Sequence, residues 1–408
     1  MTAQIILTNQ LGIAVASDTT MTLGEKTLQT SSKIVALPWP HRVAVLDAGL
    51  VFVGGLQGRF LITEWILSLS DSLPTLEAYV ESFAAWVADH AGELLVDDAM
   101  SMRDVARKEL IDLWSYRDDD WHGLHHGDTG APTVLEAEQL AKAVAIVDDY
   151  CADNFTSEPY LDLVDGGLEA LVEASGFDAT ELIDEFLEHL REDMGIDGSG
   201  MAERLGEFVT GSLIRFVTSR ELLRLNFAGY GAEEMFPAHA ELKIRSIYGG
   251  QLRAATIVHA VSKPWRSTQW FPIAQQDAMA DMLRGMSGER RAAVIRMATG
   301  LVDDMEKLDE GDKKAFRDKL YERLEDYFAS HFERFSDSTI RSLSLPALAY
   351  YADMLVKIQS MRSEMAEGPV SVGGAVECLT ISRTHGVEWS RRLSTHTDNR
   401  TGEIEISW

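Results

Sequence analysis

The chain has 408 residues, with 65 Asp and Glu against 37 Lys and Arg, a formal net charge of −28. That balance argues against nucleic acid or an anionic membrane surface as a partner, and no apolar run reaches the ~18 to 20 residues that span a bilayer. Hydrophobic residues make up 46%, enough for a substantial core in one enlarged domain or two, and two distant cysteines, Cys151 and Cys378, fit a reducing cytoplasm without a disulfide framework.

The chain opens with a hydroxyl residue, Thr2, directly behind Met1. Thr is small, so removal of Met1 is expected, leaving a hydroxyl and a free amine on one Cα. Such an amine has a pKa near ~8 and can act as base for the hydroxyl. Two short β-like runs follow, 4–8 and 12–17, with Leu11-Gly12 in the turn between them. Asp18 closes the second run and Lys33 heads a third, 33–37. A hairpin returning beside its own start brings Asp18 close to Thr2, and a third strand alongside can bring Lys33 there. Thr, Lys and Asp in one pocket supply a nucleophile, a cation that favours its reactive protonation state, and a carboxylate that holds the Lys.

At these residues the sequence resembles a known family. An N-terminal Thr, the strand Gly12-Ile13-Ala14-Val15-Ala16-Ser17-Asp18, the turn Thr22-Leu23-Gly24 and the pair Lys33-Ile34 resemble the proteasome-type N-terminal-nucleophile hydrolases. That family includes proteasome β subunits and the peptidase of the bacterial two-component protease. The resemblance implies an enlarged, bacterial-type member. It implies an α+β fold, a four-layer αββα sandwich with two stacked sheets and the Thr2 end between them. It also implies homo-oligomers.

After Lys33, an apolar run from His41 to Leu46 reaches Asp47-Ala48-Gly49. A strand ending in small residues can offer a backbone N–H to an oxyanion, because Gly lets a tetrahedral intermediate approach. In the relatives a turn of this kind supplies that donor, so Ala48 and Gly49 are candidates; a plain strand-to-helix turn accounts for them equally well. Helices are expected over 55–70, and from Leu73-Pro74-Thr75 towards Leu95. In the second of these Leu76, Tyr79, Val80, Phe83, Trp86 and Val87 keep the helical stripe. Trp65, Tyr79 and Trp86 mark a candidate interface if they face outwards; otherwise they are core.

Residues 96–221 read as an acidic helical insertion, with segments at 102–116, 135–150, 161–174, 180–194 and 201–220. Inside it, His122, His125 and His126 follow Asp118-Asp119-Asp120. The cluster lacks helical His spacing and Cys, so solvent exposure is expected in place of a metal site.

Strands resume at Leu222 and run into Gly229-Tyr230-Gly231. A hairpin follows, 241–248 and 251–258, about Gly249-Gly250. The Gly-x-Gly resembles the family's glycine-flanked serine that orients the nucleophile's amine, but Tyr230 stands in the middle; an aperture wall or a plain strand-end turn accounts for it as well. Helices are expected over 273–285, 289–308, 312–333 and 345–365, with Met279, Met282, Met286 and Met297 filling core gaps. A last strand, 372–382, and a hairpin partner, 387–393, end the fold. Ser371 is the candidate for the family's second orienting serine. Residues 1–95 and 222–393 thus form the core, and 394–408 a polar tail.

Two functions remain open. The first is an amide-bond hydrolase acting on peptides or a small amide, with Thr2, Asp18, Lys33, Gly49 and Ser371 as its site. The second is a non-catalytic assembly protein that keeps the fold for packing. No dinucleotide fingerprint or phosphate loop is present, so no cofactor is expected. An unfoldase partner is left open.

Overall fold

Two continuous apolar runs, Ile5-Ile6-Leu7 and Ile13-Ala14-Val15-Ala16, form the first hairpin, from which the chain builds outward. The structure, a computed structural model, describes residues 2–23, 26–28, 32–94, 96–116, 120–121, 124, 133–135, 137–159, 167–217, 222–261, 269–285, 288–303, 305, 309–328, 334–366 and 372–392. The main strands in the first part of the chain are β1 Ala3–Asn9, β2 Gly12–Asp18, β3 Ile34–Ala36 and β4 Arg42–Gly49. Later come β5 Leu223–Tyr230, β6 Ala238–Tyr248, β7 Gln251–Val261, β8 Gln269–Ala274, β9 Val376–Ser382 and β10 Gly386–Arg391. They form two five-stranded antiparallel sheets, ordered β8-β1-β2-β9-β10 and β7-β6-β5-β4-β3. The fold is α+β.

Every residue of β1 and β2 is buried, so both faces of the first sheet are covered. Side chains alternate across a strand, which divides the packing in two. Ile6, Ile13, Val15, Leu379 and Ile381 share one core with Ala44, Leu46, Ala48, Ala228 and Tyr230 of the second sheet. Ala3, Ile5, Leu7, Ala14 and Ala16 instead meet three helices, α8 Asp277–Arg284, α11 Arg334–Ser342 and α12 Leu345–Met365. Between α8 and α11 run α9 Gly288–Asp303 and α10 Glu310–Phe328.

The other face of the second sheet packs on α1 Gly58–Ser68 and α2 Leu76–His90. Trp65 and Tyr79 are fully buried there, so they are core and not an outward interface. Trp65 makes edge contacts with Tyr79, Phe83 and Phe227, and each such buried aromatic contributes about 1.5–3 kcal/mol. Trp86 is half-buried and stacks on His90. Helix α2 begins after Thr75, whose side chain accepts from the Ala78 N–H, so Pro74 lies outside it.

Residues 96–220 hold 29 Asp and Glu against 9 Lys and Arg, so this stretch carries −20 of the chain's −28. Helices α3 Asp98–Trp114, α4 Ala137–Asn154, α5 Gly167–Ser175, α6 Thr180–Met194 and α7 Ala202–Ile214 nonetheless share one apolar core. Tyr248, at the end of β6, joins that core and donates to the Leu213 carbonyl at 2.6 Å. The last expected segment is shorter than its apolar stripe suggests. Arg215–Val217 leaves the helix and pairs with Phe155–Pro159.

Two further expectations change. Residues 269–274 form β8, an edge strand, where the sequence suggested a helix from Ile273; Pro272 lacks an N–H, which an edge position tolerates. Met279 is core, but Met282 and Met297 are exposed, and Met286 lies outside the described residues. Among the described residues no helix is long and apolar enough to cross a membrane.

Candidate active site

The register of the first hairpin builds the site. Gln4 pairs with Ser17, which sets Ala3 beside Asp18. The Ala3 N–H donates to Asp18 Oδ1 at 2.9 Å, and the Thr2 carbonyl accepts from the Gln275 N–H at 2.9 Å. Thr2 is thereby fixed on both sides of its peptide link to β1, and it is 7% exposed.

Lys33 enters from the second sheet. Its carbonyl accepts the Asp47 N–H at 3.1 Å, which anchors it beside the end of β4. Its Nζ reaches Asp18 Oδ1 at 2.7 Å, a buried ion pair that joins the two sheets. Asp18 Oδ2 accepts from the Thr20 N–H at 3.2 Å and the Gly373 N–H at 3.3 Å. Three backbone donors and an ammonium therefore converge on one carboxylate, which offsets the cost of burying its charge.

Gly49 ends β4, two residues beyond Asp47. Its φ of +87° is left-handed, and a Cβ there would stand 1.9 Å from the Leu222 carbonyl oxygen. Only glycine meets both demands, so this bend at the Lys33 end of the sheet depends on it. Ser371 and the three histidines lie outside the described residues.

Burial shapes the electrostatics. It lowers the pKa of Lys33, against the pull of Asp18 and Asp47. The same desolvation raises Asp47 to about 6, opposed by Arg59 and Lys33 and helped by Glu377. Asp47 Oδ1 has no hydrogen-bond partner among the described residues. Arg59 donates to the Ser32 carbonyl, and Ser32 Oγ donates to the fully buried Glu377 at 2.6 Å.

Asp47, Arg59, Ser32 and Glu377 were not singled out in the sequence. A signal existed for two of them. Glu377 interrupts the apolar strand Val376–Ser382 at an inward position, and Asp47 follows four consecutive apolar residues in β4. Charged residues in such places must have partners or a task.

The Gly229-Tyr230-Gly231 reading is corrected. In the β4–β5 ladder Leu223 faces Gly49 and Tyr230 faces Arg42, seven residues away. That is roughly 23 Å along the strand. Its glycines are there for packing: Cβ atoms would stand 2.1 Å from the Arg42 oxygen at Gly229 and 2.2 Å from the Pro74 oxygen at Gly231. Tyr230 fills the core between the sheets, where burial pushes its hydroxyl up to about 12. It is neither an orienting group nor an aperture wall for this site.

No family model matches the chain. No curated protein matches it either. Among solved structures, Anbu from Hyphomicrobium sp. strain MC1 overlaps 95% of this chain and 85% of its own, at 10% identity and a TM-score of 0.30. A Gly-1 mutant of that Anbu gives 96%, 86%, 10% and 0.31. Anbu (ancestral beta-subunit) from Yersinia bercovieri gives 95%, 86%, 9% and 0.30. Backbone overlap that low carries no weight for the fold or chemistry of this chain.

Proposed function

We propose that this chain is a threonine-nucleophile amide-bond hydrolase, a peptidase, with Thr2 as nucleophile once Met1 is removed. One observation carries the reading. The buried Asp18–Lys33 ion pair is hydrogen-bonded to the N–H of Ala3, the residue that follows Thr2. A buried pair of opposite charges costs desolvation, and its place against the N-terminal residue gives that cost a use.

In this reading Thr2 Oγ attacks the carbonyl carbon of the amide. The α-amine of Thr2 takes the hydroxyl proton and passes it to the leaving amine as the C–N bond breaks. Lys33, its proton loosened by burial, stabilises the charge that develops on Oγ, and Asp18 orients it. The Gly49 N–H receives the oxyanion. Water then hydrolyses the ester. Ser371 is assigned the second orienting role.

The reading extends to architecture. The two sheets and their covering helices form a four-layer αββα sandwich, with residues 1–95 and 222–393 as an enlarged proteasome-like core and 96–221 as its insertion. Copies of the chain self-associate.

An intact mass together with turnover of a fluorogenic peptide library tests the core of it. A mass lacking Met1 and peptide cleavage lost in Thr2→Ala are expected. Cleavage by a protein that retains Met1 would sink the assignment of Thr2.

A further inference from the structure

Lys33 is held at three points. Its ammonium meets Asp18, its carbonyl accepts the Asp47 N–H, and its backbone continues from Ser32, whose polar groups are gripped by two different parts of the fold. Ser32 Oγ donates to Glu377 Oε2 at 2.6 Å, and the Ser32 carbonyl accepts from the Arg59 guanidinium. Arg59 stands in the first turn of α1, on the second sheet's side. Glu377 stands on β9 of the first sheet.

Glu377 has the same parity as Leu379 and Ile381, which sit in the core between the sheets. Its carboxylate therefore enters that space. A fully buried carboxylate needs strong donors, and a serine hydroxyl at 2.6 Å is one. The segment it grips needs holding. Lys33 leads into β3, which has three residues and lies at the edge of its sheet. So short an edge strand constrains its own start weakly, and a lysine stem adds four rotatable bonds.

Resting on the assignment of Thr2 and Lys33 above, we propose that Glu377 is a positioning residue for Lys33, acting through the Ser32 hydroxyl. The carboxylate fixes Ser32 from the first sheet while Arg59 fixes it from the second. The Lys33 backbone is then set relative to Thr2, which itself belongs to the first sheet. Displacement of a catalytic group by about 1 Å costs on the order of 100-fold in rate, so a lost pin has a measurable effect.

The test is the rate at which a β-lactone labels Thr2. Its ring-opening joins the Thr2 hydroxyl oxygen to the lactone carbonyl, breaks the ring C–O bond and leaves the proton on the ring oxygen. The protein gains the whole lactone mass, read by intact mass and located by peptide mapping. Ser32→Ala and Glu377→Ala are each expected to slow the maximal labelling rate about tenfold, with the half-saturating lactone concentration unchanged. The double variant is expected to be no slower than either single one, because both break the same link. Glu377→Gln keeps an oxygen that accepts the Ser32 hydroxyl and retains about a third of the parent rate or more.

Thermal melts report whether each variant is folded. If Glu377→Ala does not fold, Ser32→Ala and Glu377→Gln still decide. Parent-like labelling of Ser32→Ala, or losses that multiply in the double variant, would overturn the clamp and leave the Thr2 assignment standing. A parent that takes no label at Thr2 would remove both together.

Discussion

The two-sheet core and the helical stretch 96–220 each enclose a buried ion pair, and the two pairs are built differently. In the core, Asp18 and Lys33 meet at 2.7 Å, and the carboxylate also accepts backbone N–H groups from Ala3, Thr20 and Gly373. Where α3 crosses β6, Glu109 and Arg245 meet at 2.8 Å, and Glu109 also accepts the Tyr150 hydroxyl at 2.8 Å. The Arg245 contact is close in distance but lacks hydrogen-bond geometry. Burial lowers Lys33 and raises Glu109, so both pairs carry a desolvation cost. Burial alone therefore does not distinguish chemistry from structure. The neighbours differ: one pair is hydrogen-bonded to the residue that follows Thr2, the other ties three packed elements together.

The largest expected effect follows from that distinction. Lys33→Ala should reduce turnover per folded molecule by roughly 10²–10⁴-fold. It leaves Asp18 without its cation but still held by three backbone N–H groups, so circular dichroism should show a folded protein with a lowered melting point. Parent-like turnover would make the core pair as structural as the other one.

Glu109→Gln should do the reverse. It leaves Arg245 buried without its counter-charge and should cost about 3 kcal/mol in denaturant unfolding, with per-molecule turnover unchanged. A loss of turnover in protein shown to be folded would make the helical stretch part of the chemistry.

Asp47 sharpens the comparison, because its carboxylate is buried beside Lys33 without a hydrogen bond at Oδ1. Its pKa is raised to about 6 when folded. The folded state thus binds the proton more tightly than the unfolded one, and stability falls as pH rises from about 4 to about 6. Asp47→Asn should therefore stabilise by about 1–2 kcal/mol at pH 7, an advantage that fades below about pH 4. Thermal unfolding at the two pH values measures it; an equal gain at both would place the effect outside the titration.

The smallest effect belongs to the far end of β5. Tyr230→Phe should change turnover by less than about twofold and stability by about 1 kcal/mol or less, since it removes one hydroxyl from a core position. A large loss of turnover would reconnect this end of the sheet with the site.

The sequence by itself determined the first hairpin. Two continuous apolar runs and the small residues of β2 leave few alternatives, with the turn falling at Gln10-Leu11, one residue before the position read from the sequence, and with them came the nearness of Thr2 and Asp18. The helices with clear stripes, α2 and α3 among them, were also legible, because their apolar spacing is local information. Gly49 was legible as a candidate, though its necessity rests on the approach of Leu222 from a strand more than 170 residues away.

Tertiary structure decided the rest. Only the last two residues of β8, Ile273 and Ala274, fell within an expected helix; they are strand because they pair with Gln4 and Ala3 of β1. Tyr230 looked like part of the site because Gly-Tyr-Gly is a local pattern, but the direction of β5 against β4 carries it to the opposite end. Asp47, Arg59, Ser32 and Glu377 come from four separate segments, and no local spacing relates them. Hydrophobic periodicity fixes which face of an element is buried. Which charged groups then meet is set by long-range register between sheets, and register is a property of the folded chain.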